Sequence, residues 1–362
     1  MLILLTLTTA FGQGLQSHDD LTISDSENLL VDFDLGSLRP RSEQVQRIVN
    51  GNTTSDYQAV GSFVVVYNDN SMDAFCSGTL VTDDIVLTAA HCIEPMYQMI
   101  EESNVSGIGF VLGSDIGDGA IAGEYVISAE MHPHYNSQTI ENDIGLAQLS
   151  SGISGAPTMC LNSYGMGDDW TDVAVDWVGF GITAEGGGDA GVKRTVKEPV
   201  VGVEPVYFFT DREGTNICRG DSGGAAIVEM TDGTRMLTGV TSFTAQLGNG
   251  ASDNCEADGV VSAGARIDAA LDWILSYTGD VTCEVSDDAD FPDFFQTIDT
   301  VEDDDNVIDL GPGGGDFGGV DGSSGSSTLG GEAKAMGCSV TGAGGGFFLS
   351  LISLLGLIRR QS

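Results

Sequence analysis

From Ile48 to residue 278 the chain alternates short apolar stretches with turn residues. The stretches are "GSFVVVY", "SGTLVTDDIVLTAA", "GIGFVLG", "EYVISAEMH", "DIGLAQL", "VAVDWVGFG", "KEPVVGV", "AAIVE" and "RMLTGVTSF". They are brief, rich in β-branched residues, and separated by Gly, Asp, Asn and Ser. That spacing predicts an all-β barrel or sandwich. One segment departs from it. In "IDAALDWILSY", Ile267, Leu271, Ile274 and Leu275 recur at three- to four-residue intervals, which predicts a helix closing the region.

The flanks lack this texture. Residues 13–47 are polar and acidic, without sustained periodicity, and end in the arginine cluster "RPRSEQVQR". Residues 279–337 are rich in Asp and Gly with little to bury, which predicts a disordered linker. Within it, "VEDDDN" lacks the glycine and terminal glutamate of a calcium loop and reads as a solvated acidic run. The opening "MLILLTLTTAFGQG" has two readings: a secretory signal cut after Gly12, or a buried N-terminal strand. Residues 338–362 hold Cys338, an apolar run from Val340 to Ile358 long enough to span a bilayer, and a terminal Arg359–Arg360 pair.

Charge narrows the function classes. The 54 acidic residues against 13 basic ones give a net charge of -41, which excludes the cationic footprint that nucleic acids need. The seven cysteines contain no CxxC pair, so a zinc ribbon or thioredoxin-like site is not indicated. Export would place them where disulfides persist.

The candidate chemistry lies in four segments. "CRGDSGGAA" surrounds Ser222 with glycines, "VLTAAHC" puts His91 after an apolar strand, "ENDIGLAQL" puts Asp143 at the head of another, and "RIVNG" puts Arg47 before Ile48. Each alone is weak. Together, in the order His91, Asp143, Ser222 and on a β-rich background, they are specific, and residues 48–278 resemble a trypsin/chymotrypsin-type serine protease.

The resemblance implies two six-stranded antiparallel β-barrels with a C-terminal helix and an active site between the barrels. It makes Ser222 the nucleophile, His91 its proton acceptor and donor, and Asp143 the group that orients His91. The N–H groups of Gly220 and Ser222 would form the oxyanion hole. Residues 13–47 would be a pro-segment, cut at Arg47–Ile48, with the new amine of Ile48 pairing with Asp221. The family's pairings imply Cys76–Cys92 and Cys218–Cys255. Cys160 would reach a distant segment. The pro-segment holds no cysteine, so Cys283 is the candidate partner, and Cys338 is left over. His132 and His134 take structural or exposed roles. Neither a metal nor a cofactor is expected, and Ser114 opposite Glu124 gives no acidic calcium pair.

The resemblance breaks at the substrate pocket. Asn216 stands where a trypsin has an acidic floor, Ser242–Phe243–Thr244 replaces Ser-Trp-Gly, and either Gly259 or Ser262 takes the far-wall position, with Asp258 nearby. This implies a preference for uncharged side chains, unless Asp258 reaches the pocket. The implied partners are protein or peptide substrates and an activating protease. The implied location is secreted or at the cell surface. The tail resembles bacterial GlyGly-type and cysteine-containing sorting signals, whose partner would be a membrane sorting protease processing near Cys338; a plain single-span anchor is its alternative. A catalytically inactive homologue acting as a surface binding module is the competing function, and the retained triad argues against it.

Overall fold

The computed structural model describes residues 33–41, 51–182, 190–212, 215–246, 250, 251, 255, 257, 259–284 and 295–297. Their strands, in chain order, are β1 (Arg39–Pro40), β2 (Asn52–Thr53), β3 (Val60–Tyr67), β4 (Ser71–Leu80), β5 (Ile85–Thr88), β6 (Val105–Gly113), β7 (Ala120–Met131), β8 (Gly145–Leu149), β9 (Ala174–Gly179), β10 (Arg194–Val203), β11 (Tyr207–Thr210), β12 (Ala225–Glu229), β13 (Arg235–Gln246), β14 (Gly250–Ala251) and β15 (Val260–Arg266). Two α-helices join them, α1 (Ala90–Met99) and α2 (Ile267–Thr278).

Two closed barrels result. The first runs β4-β3-β6-β7-β8-β5 and closes by β4–β5 pairing. The second runs β11-β15-β13-β12-β9-β10 and closes by β10–β11. Each is six-stranded and antiparallel. Closure removes the unpaired edges that an open sheet of this size would expose. Phe63 and Phe110 pack 5.1 Å apart at the centre of the first barrel, and Trp177 stacks on Phe208 at 5.6 Å in the second. Helix α2 forms where its periodicity placed it, burying Ile267, Ala270 and Ile274.

Segments outside the barrels also dock. Strand β1, within the expected pro-segment, pairs in parallel with β4, Arg39 opposite Ser71 and Pro40 opposite Met72. The linker expected over 279–337 begins with ordered chain. Cys283 N–H donates to Leu161 O, and Cys283 is disulfide-bonded to Cys160. Residues 295–297 return to the second barrel, where Phe295 is buried 4.7 Å from the Trp170 ring. The reason is tertiary: neither segment has a periodic pattern, yet each carries one aromatic ring that fits a barrel surface.

Among the described residues no helix is long and apolar enough to cross a membrane, and no cluster of ligating side chains could hold a metal ion. Arg47, Ile48, Asp258, Cys338, the signal over 1–12 and the tail over 338–362 lie outside the described residues.

Candidate active site

Strand β5 delivers the chain into α1, so His91 stands in the first turn of a helix at the seam of the barrels. Cys92 beside it is bonded to Cys76 of β4, which ties this turn to the barrel wall. Asp143 precedes β8 and is fully buried. A carboxylate so placed needs donors. It has three. Its Oδ1 accepts His91 N–H at 2.9 Å, and its Oδ2 accepts from His91 Nδ1 at 2.7 Å and from Ser242 Oγ. The Nδ1 contact fixes the imidazole so that Nε2 faces away from the carboxylate.

Ser242 reaches Asp143 because of a bulge. In the β13–β15 ladder Thr241 opposes Gly264 and Phe243 opposes Ala263, so Ser242 has no opposite residue. The extra residue turns its hydroxyl out of the ladder. The sequence places Ser242 in the pocket wall, and the structure gives its side chain this second task.

Ser222 sits in the turn between Cys218 and β12, buried at the same seam. Gly223 has φ +79, and a Cβ there would stand 2.1 Å from Thr88 Oγ1 and 2.3 Å from Ser77 O. The serine's turn is thereby pressed against the residues leading into His91. Gly220, with φ +88, abuts Gly181.

Ser77, unnoticed in the sequence, joins the two barrels. Its N–H donates to Ser222 O at 2.8 Å and its Oγ to Gly220 O at 2.8 Å, while its Oγ accepts Phe180 N–H at 2.9 Å. Its own carbonyl accepts Thr88 Oγ1 at 2.9 Å. The only sequence signal is a small polar residue directly after Cys76.

Asp221 is buried, with its carboxylate accepting Gly181 N–H at 2.8 Å and Cys218 N–H at 2.9 Å. Cys218 is bonded to Cys255, which braces this turn from the far side.

Asn216 lies six residues before Ser222. Its Nδ2 donates to Cys255 O at 3.3 Å and Val260 O at 3.1 Å, and its Oδ1 accepts Ser262 Oγ at 3.1 Å. Ser262, not Gly259, therefore stands beside Asn216. Ser262 also opposes Thr244 across β13–β15. Gly259, with φ +71, forms a turn with open space around it. Phe243 packs edge-on to Tyr207 at 5.2 Å.

Behind Asn216, Glu198 is completely buried and accepts Thr210 Oγ1 at 2.6 Å and Thr215 Oγ1 at 3.1 Å. Burial raises its carboxyl from 4.5 to about 7, against the lowering effect of hydroxyls from Thr210, Ser262 and Thr215 and with a further raising by Asp211. The folded state then keeps this proton up to about 7, whereas the unfolded chain releases it near 4.5. Between those values the unfolded state binds fewer protons, so stability falls as pH rises. Glu198→Gln is expected to remove up to about 3 kcal/mol of that pH-dependent loss. Urea denaturation of both proteins at pH 5 and pH 8 checks this; parallel pH dependences would show that Glu198 does not titrate in this window.

Two closed six-stranded antiparallel barrels with a short C-terminal helix match the chymotrypsin fold. The trypsin family model matches residues 48–274, and the chain belongs to that family. It is a serine endopeptidase. Among its relatives are brachyurin of Leptuca pugilator, 31% identical over 57% of this chain and 88% of the relative, and proproteinase E of Bos taurus, 27% identical over 65% and 96%. Alkaline trypsin C of Manduca sexta is 27% identical over 49% of this chain and 75% of the relative.

Proposed function

We propose that this protein is a secreted or surface-delivered endopeptidase, made as a precursor and activated by cleavage of Arg47–Ile48. The observation that carries the catalytic reading is the His91–Asp143 pair, with the carboxylate fully buried and held by three donors. Ser222 Oγ attacks the peptide carbonyl while His91 Nε2 takes its proton. The tetrahedral oxyanion is held by the N–H groups of Gly220 and Ser222. His91 then donates the proton to the leaving amine, and water repeats the sequence on the acyl-enzyme with Ser222 as leaving group. Asp143 stabilises the imidazolium throughout.

Activation has its own logic. A new ammonium at Ile48 would bring a positive charge to the buried carboxylate of Asp221, which lies one residue from each oxyanion donor. Three disulfides suit an oxidising compartment outside the cytosol. The pocket reading is an uncharged one. Both amide hydrogens of Asn216 are engaged by backbone carbonyls, and its oxygen by Ser262, so Asn216 itself offers no charge to a cationic side chain. Arginine at the activation bond then calls for a different protease to make the cut. The tail over 338–362 would be a sorting signal trimmed near Cys338.

The test is to treat the purified full chain with trypsin, sequence its new N-terminus and assay a peptide library. Cleaved protein is expected to begin Ile-Val-Asn-Gly and to gain at least 10²-fold in kcat, the scale of one oxyanion-hole donor. It should prefer uncharged residues before the scissile bond. Full activity in the uncut chain would refute the precursor reading, and a preference for Arg or Lys would refute the pocket reading.

A further inference from the structure

The outer wall of the first barrel carries a socket for a phenyl ring. Val64, Gly109 and Tyr125 lie opposite one another across β3, β6 and β7, and Gly123 is two residues from Tyr125 on the same face. The ring of Phe33 occupies this place. It meets Tyr125 edge-on at 4.9 Å. A Cβ on Gly109 would stand 2.6 Å from that ring and one on Gly123 would stand 2.5 Å from it, so side chains at either position would close the socket.

Further contacts hold the same segment. Leu38 is buried and belongs to a hydrophobic cluster that includes Val64, Val66 and Met72. Arg39 N–H donates to Asn70 O at 2.9 Å and Arg41 N–H to Met72 O at 3.1 Å, covering the outer half of β4 where β5 does not pair. The Arg41 guanidinium lies 3.5 Å from the centre of the Tyr67 ring, donates to Ser71 Oγ at 2.7 Å, and has Asp69 and Asp73 at 3.7 and 3.8 Å. None of these contacts involves residues beyond Arg41. The six residues 42–47 can extend about 20 Å, so a protease can reach the Arg47 bond without undocking the segment.

We propose that residues 33–41 stay bound to the first barrel after cleavage at Arg47, making the mature enzyme a two-chain complex held without a disulfide. The light chain is then a structural subunit that covers the β4 edge and the apolar outer wall. This rests on the reading of Arg47–Ile48 as the cut. Retention is separable from it by replacing residues 43–47 with a recognition sequence for a site-specific viral protease.

Both the natural chain, cut with trypsin, and the redesigned chain, cut with the viral protease, are passed through size exclusion and analysed by denaturing mass spectrometry. Co-elution of the N-terminal fragment with the barrels is expected; its appearance at the small-peptide volume in the redesigned chain would overturn the proposal. If only the natural chain fails to yield a cut at Arg47, the activation reading fails and the retention result still stands. A second measurement needs no substitution in the barrels. Synthetic peptide 31–47 is titrated into barrels stripped of the fragment by dilution in mild urea and returned to buffer. Phe33→Ala in the peptide is expected to weaken binding at least tenfold, and Arg41→Ala to weaken it further at low salt. Equal binding by the Phe33→Ala peptide would overturn the socket.

Discussion

Replacing Ser222 with alanine is expected to lower kcat/KM of the cleaved enzyme by about 10⁶-fold. The argument is chemical. On the proposed mechanism alanine removes the atom that forms the acyl bond, and the remaining donors can polarise a carbonyl but cannot split the reaction into two easier steps. The fold should be unaffected. The Ser222 carbonyl, which accepts Ser77 N–H, is retained in the variant. Paired measurements check this: rates on a peptide library substrate, and labelling by a serine-directed phosphonate. The wild type should be labelled at Ser222 and the variant not at all. A variant that keeps more than a thousandth of the activity would remove Ser222 from the nucleophile's role.

Asp143→Asn is expected to cost about 10⁴-fold in kcat. The carboxylate accepts three hydrogen bonds, one of them from His91 Nδ1. An amide Nδ2 in that position can only donate, so it would favour the tautomer with hydrogen on Nε2. That tautomer cannot take the proton of Ser222. The substitution conserves volume, His91 N–H can still donate to the amide oxygen at the Oδ1 position, and Ser242 Oγ, which meets the Oδ2 position, can turn to accept from the amide. The loss should therefore appear in kcat rather than KM, and binding of a substrate-like inhibitor should be nearly unchanged. Weakened inhibitor binding by a similar factor would mean that Asp143 holds the fold of the site rather than the tautomer.

The parts of the site that the sequence displays are those where the chemistry restricts residue type within a few neighbours. Ser222 lies among glycines because Gly223 has no room for a Cβ beside Thr88 and Ser77. His91 is marked by Cys92, since the disulfide to Cys76 must lie next to it. Ser77 joins the barrels through groups that nearly any small polar residue offers, so no local pattern announces it. Ser242 looks like pocket wall until the ladder shows that it is the extra residue of a bulge. Whether Gly259 or Ser262 stood beside Asn216 depended on the register of β15 against β13, a long-range pairing that composition does not encode.

The fold divides in the same way. The barrels were visible as alternating runs, and α2 as a periodic one. Helix α1 was not: it is ten residues long, contains Pro95, and follows Ala89, which gives it no side-chain cap. The continuous apolar run "FVVVY" of β3 did carry a message about its outer face. Val64 is fully buried there because Phe33 covers the wall it shares with Gly109. What covers it came from a stretch with no periodicity, because that stretch is ordered by Phe33 in its socket and by pairing with β4 rather than by a repeating pattern of its own.

Phe295 and its neighbours also define a load path. Gln296 donates its N–H to Glu229 O at the end of β12 and accepts Ala174 N–H at the start of β9, so residues 295–297 are stitched to two strands of the second barrel. Further in, the Cys160–Cys283 bond makes a covalent stop. A pull on the chain beyond Thr297 is first resisted in shear by those backbone bonds and then by the disulfide. Helix α2 lies on the slack side of both, and so do the β13 bulge and the Asp221 turn. Tension arriving from the C-terminal side would reach a barrel wall and stop there, leaving the hydrolytic seam mechanically unloaded.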